Sequence, residues 1–322
     1  MDATHQCELF EMPKSGLGAD ELEADPSEWS YSRRDTFEQC LRKYYYHYFG
    51  ASARLAKSEP QKESLRFLKK LSNRYLRTGD ILHFSIRTWL QRARDGDIWS
   101  LERLQNWTRH IFRKDIEYSR GYQDGDSLVA GPRAPELLME LYYDFKNAEE
   151  LCRESEAKLL TALSNFVTSD LCARFRVGAA DSRALIEKPL YLREKHFAMR
   201  GKIDLAYPIG ERVAVVDWKI GKSSGDDDSL QLLSYAMFVL KEFGCLADTL
   251  DLYRVHLVEN NVSSFKVRPR EIQRATARII QDCHRMSSLN SYGVDARAEA
   301  FTPCGQPRIC SLCPFQEICP KE

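Results

Sequence analysis

No stretch of this 322-residue chain approaches the run of about 18 apolar residues that a membrane-spanning helix needs; the nearest, residues 232–240, is short and carries Ser234. The opening MDATHQCELF has no basic cluster followed by an apolar stretch, so no secretory signal is expected. Ten cysteines are too few to scaffold a chain of this size with disulfides. In the cytoplasmic, intracellular setting this implies, they are expected as reduced thiols or ligands. Repeats and low-complexity tracts are missing, which excludes solenoid and fibrous architectures. There is no Gly-x4-Gly-Lys-Ser/Thr loop either, so no nucleotide-driven motor of that kind is expected in the chain. Net charge is also lacking, with 47 Lys+Arg against 47 Asp+Glu. What remains is a globular chain, 43% hydrophobic and 29% charged, long enough for one large domain or two modest ones.

The neutral total hides local imbalance. Residues 1–28 hold eight acidic side chains and one basic, and read as a flexible acidic tail. From Arg33 to Arg77 the count is twelve basic and four acidic, which suits either a solvated helical surface or a phosphate-facing one. After the tail, 29–58 reads as one N-terminal helix, with Phe37, Cys40, Tyr44 and Tyr48 at helical spacing. Residues 59–180 form a helical section, broken at Gly96 and over 121–132. Trp89, Trp99 and Trp107 within it fit a core better than a base-stacking surface.

The hydrophobic period then changes. Segments 184–192 and 196–207 alternate like strands, and 213–220 is a β-branched run expected as a buried strand. A helix over 229–243 ends at Gly244, a strand follows at 250–258, and a helix at 269–286. Residues 181–300 thus predict an α/β core, and 301–322 an irregular Cys- and Pro-rich segment.

Chemistry concentrates in this core. Gly201-Lys-Ile-Asp204 ends one strand, and Asp217-Trp-Lys219 lies on the next. Two carboxylates from neighbouring strands can converge on one divalent ion, and Lys219, two residues after Asp217, projects from the same face. Such a set suits metal-assisted phosphodiester hydrolysis. An ionised Asp217 inside an apolar strand is costly unless paired or metal-bound. Gln231 and Tyr235 share a helical face four positions apart, and His83 shares a face with Ile86 and Leu90.

Gly79-x3-His83, Gly201-x2-Asp204, Asp217-x-Lys219 and Gln231-x3-Tyr235, in this order, resemble the RecB-like branch of the PD-(D/E)xK nuclease superfamily. The resemblance implies a restriction-endonuclease-like mixed sheet flanked by helices. It implies that His83, Asp204, Asp217 and the backbone carbonyl of Trp218 bind catalytic Mg²⁺ or Mn²⁺. Lys219 would be the catalytic lysine, Gln231 and Tyr235 would complete the site, and Glu187 would take the place of an acid often found upstream. One departure is that no proline precedes Asp204.

A second constellation is Cys310-x2-Cys313-x5-Cys319, a ligand pattern that needs a fourth thiol. Spacing alone leaves two choices: Cys304, making a local zinc knot, or the distant Cys40. Cys40-Leu-Arg-Lys-Tyr-Tyr-Tyr resembles the segment that opens iron–sulfur nucleases of this branch. That resemblance implies a 4Fe–4S cluster on Cys40, Cys310, Cys313 and Cys319, stapling the C-terminus to the N-terminal helix. The other cysteines, at 7, 152, 172, 245 and 283, read as buried thiols.

The expected function is a metal-dependent DNA exonuclease on single-stranded DNA or DNA ends, serving repair, recombination or defence. The alternatives are an idle DNA-binding subunit scaffolding a helicase complex, or a structure-specific endonuclease.

Overall fold

The computed structural model describes residues 28–123, 126, 128–129, 134–221, 229–290 and 292–320. The acidic tail, save Glu28, lies outside these residues, as does Cys7. In order, the elements are α1 (Tyr31–Gln39), α2 (Leu41–Tyr45), a π-helical turn (Tyr46–Gly50), α3 (Lys62–Leu68), α4 (Arg74–Arg94), α5 (Leu101–Gly121), α6 (Met139–Tyr142), α7 (Ala148–Thr168) and α8 (Asp170–Gly178). Then come β1 (Leu185–Arg193), β2 (Ala198–Ile209), β3 (Arg212–Lys219), α9 (Ser229–Phe243), β4 (Leu250–His256), β5 (Asn261–Lys266), α10 (Pro269–Asn290) and α11 (Pro307–Cys310).

The five strands form one mixed sheet in sequence order, antiparallel except between β3 and β4. Helix α9 is the crossover that lets β4 run parallel to β3. Because helices cover both faces, β3 is buried from Val213 to Trp218, and only its end residues Arg212 and Lys219 are half-buried. Its odd residues, Val213 and Val215, pack with Leu232, Ala236 and Val239 of α9 and Ile279 of α10. Its even residues, Ala214, Val216 and Trp218, pack with Leu82 and Ile86 of α4, Phe166 of α7 and Phe175 of α8. Gly178 permits the close approach of α8 to β2, since a Cβ there would lie 2.0 Å from the Tyr207 ring. Gly244 has φ +61°, the left-handed helix stop expected of it.

Three local expectations change. The single N-terminal helix breaks at Cys40, which is extended (φ −164°, ψ 116°) while its Sγ accepts from Lys43 N–H at 3.4 Å. Helical spacing runs through this break and conceals it. Strand β5 has no counterpart in the sequence reading, because an exposed edge strand needs no apolar run. Asp204 lies inside β2 rather than at its end.

Trp89 and Trp99 are buried, and Trp107 packs edge-on against Trp99, so the three tryptophans belong to the core.

Candidate active site and cysteine centre

Strand β2 pairs with β1 on one side and β3 on the other, and this double pairing gathers the acids. Ile186 faces Leu205 and Lys188 faces Ile203, which sets Glu187 opposite Asp204. Leu205 faces Val216, so Asp204 and Asp217 lie one step beyond the last β2–β3 pair. There the Trp218 N–H donates to Asp204 Oδ2 at 2.8 Å, a side-chain bond where the ladder would continue. Glu187 itself has φ +47°, unusual for a non-glycine residue in a strand. Around it the alternation of β1 shifts: Leu185 before it and Leu190 and Leu192 after it all pack into the same core. Backbone strain of this kind persists where surrounding structure holds a side chain for a purpose.

His83 reaches this pair from α4. Its Nδ1 lies 2.9 Å from Glu187 Oε1 and 3.4 Å from Asp204 Oδ1. His83, Glu187 and Asp204 each offer one ligand atom within 4.8 Å of the others. One imidazole nitrogen and two carboxylate oxygens are a donor set that suits Mg²⁺ or Mn²⁺. Asp217, expected from the sequence among the ligands, stands outside this close group and is held by cations. Its Oδ1 lies 3.0 Å from Lys219 Nζ, and its Oδ2 lies 3.3 Å from Arg254 Nε. Lys219 Nζ donates to Gln231 Oε1 at 2.8 Å, and Gln231 Nε2 donates to the Tyr235 hydroxyl at 2.9 Å. The Trp218 side chain points the other way, its ring edge-on to Phe166 and Phe175.

Two cations escaped the sequence reading. Lys202 Nζ lies 2.6 Å from Glu187 Oε2; its place two residues before Asp204 on one strand was the available signal. Arg254 comes to Asp217 only through the parallel pairing of β3 with β4, which no local motif announces.

Charge in the cluster is strongly coupled. Burial works against a charged His83, but Asp204 and Glu187 overcome it and raise the imidazole to about 9. Burial pushes Asp204 up to about 7, with Glu187 and Asp217 adding and His83 opposing. Both groups therefore bind protons more tightly folded than unfolded. The His83 contribution to stability is complete below its unfolded value near 6.5 and vanishes as pH rises through about 9. That of Asp204 is lost as pH climbs through about 7. The chelator-treated protein is expected to melt at progressively lower temperature from pH 6 to pH 9. Mg²⁺, which needs neutral His83 and ionised Asp204, should raise the melting temperature more at pH 8 than at pH 6. Differential scanning fluorimetry at the two pH values checks this, and a metal shift that is larger at pH 6 would contradict it.

The cysteines gather at the opposite ends of the chain. Burial raises the Cys313 thiol to about 11, with Cys40 and Cys319 adding and Lys43 opposing. Cys319 is raised first by burial and then by Cys40, Cys310 and Cys304. The four expected thiols thus lie within electrostatic reach of one another, although among the described residues no three of their sulfurs come within 4.8 Å; Cys304 joins them, its Sγ 4.0 Å from Cys310 Sγ. Hydrogen bonds join the same regions: Arg42 Nε to Phe301 O at 2.8 Å, Arg42 N to Thr302 O at 3.2 Å and Tyr46 OH to Ile318 O at 3.4 Å. Among the remaining cysteines, Cys152, Cys172 and Cys283 are buried as expected, whereas Cys245 is only half-buried.

The profile of the PD-(D/E)XK nuclease superfamily matches residues 28–320. No curated protein matches the sequence. Among solved structures, a protein from Eubacterium rectale described as a "Putative exonuclease" aligns over 91% of this chain and 94% of its own, with 12% identity and a TM-score of 0.39. A second, SSO0001, aligns over 66% of this chain and 95% of its own, with 16% identity and a TM-score of 0.31. No helix among the described residues is long and apolar enough to cross a membrane.

Proposed function

We infer function from membership: the chain belongs to the PD-(D/E)XK nuclease superfamily, and we propose that it is a divalent-metal-dependent deoxyribonuclease acting on single-stranded DNA or DNA ends. The observation that carries this reading is the completeness of the set: His83, Glu187 and Asp204 within 4.8 Å, with Asp217, Lys219, Gln231 and Tyr235 linked beside them. A chain that had become a scaffold would be free to lose members of such a set. The preference for ends rests on the sequence resemblance.

In this reading His83, Glu187 and Asp204 hold the cation, with Asp217 and the Trp218 carbonyl as further ligands. When bound, the cation supplies a Lewis acid for the scissile phosphate and lowers the pKa of the attacking water. Lys219, 29% exposed, faces the solvent side of the site and offsets charge developing on the phosphate. Gln231, tied to Tyr235, holds the Lys219 ammonium in position through its side-chain carbonyl.

For the second centre we propose a 4Fe–4S cluster on Cys40, Cys310, Cys313 and Cys319. Free thiols at all four positions supply the donor set, and the hydrogen bonds from Arg42 and Tyr46 to Phe301, Thr302 and Ile318, which bring the Cys40 segment to the C-terminal cysteines, favour the distant partner over a purely local knot.

The test is cleavage of end-labelled linear single-stranded and duplex DNA, with Mg²⁺ or Mn²⁺ or with chelator, under anaerobic conditions. Metal-dependent shortening from one labelled end is the expected result, and its direction gives polarity. Internal cuts would favour a structure-specific endonuclease. DNA binding without cleavage would favour a scaffolding subunit that works through a helicase partner.

A further inference from the structure

Besides His83, three cations among the described residues pair with the candidate catalytic carboxylates: Lys202 with Glu187, and Lys219 and Arg254 with Asp217. They differ in freedom. The side chains of Lys202 and Lys219 are 39% and 29% exposed and can swing into solvent, whereas that of Arg254 is 9% exposed. Arg254 is also fixed from its own strand, because β4 pairs in register with β3 and sets it beside Asp217. A guanidinium does not deprotonate in a protein, so this positive charge persists whatever else enters the site. The Asp217 carboxylate is almost wholly buried, with 1% of its side chain exposed, and is costly to ionise without a partner.

We propose that Arg254 is a positioning residue that orients Asp217 and, by permanently neutralising it, keeps the affinity of the free protein for divalent cations low, so that the cation binds tightly only with a DNA phosphate. The inference rests on the nuclease reading of the site. A cation approaching Asp217 must share the carboxylate with a fixed positive charge 3.3 Å away. A phosphodiester supplies the missing negative charge, which makes cation and substrate binding mutually reinforcing.

The test is a Mn²⁺ titration of the metal-free full-length protein, followed by calorimetry or by the electron paramagnetic resonance of free Mn²⁺, with cleavage kinetics alongside. Arg254→Met should bind Mn²⁺ about tenfold more tightly than the wild type, since a nearby like charge has gone. Its kcat should fall with little change in KM for DNA, because Asp217 has lost its orienting partner. Arg254→Lys keeps the charge without the fork, and should retain weak Mn²⁺ binding while kcat falls. In an Asp217→Asn background, Arg254→Met should again tighten Mn²⁺ binding, because the fixed positive charge repels the cation with or without the carboxylate. That double variant also removes both charges of the buried pair, so it carries the test if Arg254→Met alone does not fold. Unchanged or weaker Mn²⁺ binding in Arg254→Met, or a double variant that binds Mn²⁺ no more tightly than Asp217→Asn, overturns the role of Arg254 and leaves the nuclease reading intact. If Arg254→Met binds no more Mn²⁺ than the His83→Ala, Arg254→Met double variant, the metal site itself is wrong.

Discussion

Lys219→Ala is expected to slow DNA cleavage by about 10²–10³-fold, the usual loss when one charge-stabilising group is removed from a transition state. The structure also says why the fold should survive. The ammonium lies 3.0 Å from Asp217 Oδ1, but Asp217 keeps Arg254 on its other oxygen at 3.3 Å. The carboxylate is therefore left with a partner, and the large penalty of an uncompensated buried charge is avoided. With 29% of the lysine side chain exposed, its truncation opens no sealed cavity. Single-turnover cleavage of a labelled single-stranded oligonucleotide, with DNA binding measured separately, should show a fall in the chemical step at unchanged affinity. A protein that keeps its melting temperature and also keeps its cleavage rate would remove Lys219 from the chemistry. A protein that precipitates would make the lysine structural. Gln231→Ala, which only frees the ammonium to move, should cost less than the loss of the lysine itself.

How much of this site was legible beforehand depended on the range of the interaction. Asp217 and Lys219 lie two apart on one strand, and Gln231 and Tyr235 four apart on one helix, so secondary-structure periods alone set each pair on one face. The closing of Lys219 onto Gln231 joins residues only 12 positions apart. Glu187 was visible as an acid in a strand, but the left-handed φ that goes with its shift in alternation was not. Arg254 is 37 positions from Asp217 and depends on which strand β3 takes as its parallel neighbour, a choice made by tertiary packing. The N-terminal break has the same origin. Helical spacing continues through Cys40, yet Arg42 N–H bonds to Thr302 O near the far end of the chain, so a long-range contact overrides the local period. Strand β5 went unseen for the opposite reason: an edge exposed to solvent imposes almost no pattern on its residues.

Loss of one cysteine ligand is expected to have the largest effect on stability. Cys40 and Cys310 stand 270 positions apart, so a shared cluster would close nearly the whole chain. By the cross-link relation, closing a loop of roughly 270 residues is worth about 5.6 kcal/mol. At about 2 °C per kcal/mol for a chain of this size, that is a fall of about 10 °C in melting temperature. Cys310→Ala is the informative variant because Cys310 is exposed, so the substitution costs almost nothing in packing. A fall of this size would then report the lost cross-link rather than a core defect. The ends should remain attached, since Arg42 still bonds to Phe301 O and the rings of Tyr45 and Phe49 still pack on Phe301. The variant should therefore fold, but lack the brown colour of anaerobically purified wild type and melt earlier. Cys245→Ala, outside the thiol neighbourhood, should keep both colour and melting temperature. Absorbance near 400 nm, iron and zinc content and thermal melts of the three proteins decide the matter. A colourless wild type with one zinc per chain would replace the iron–sulfur assignment with a zinc site. Cys304, with its sulfur 4.0 Å from that of Cys310, would then be the first candidate for a ligand in it.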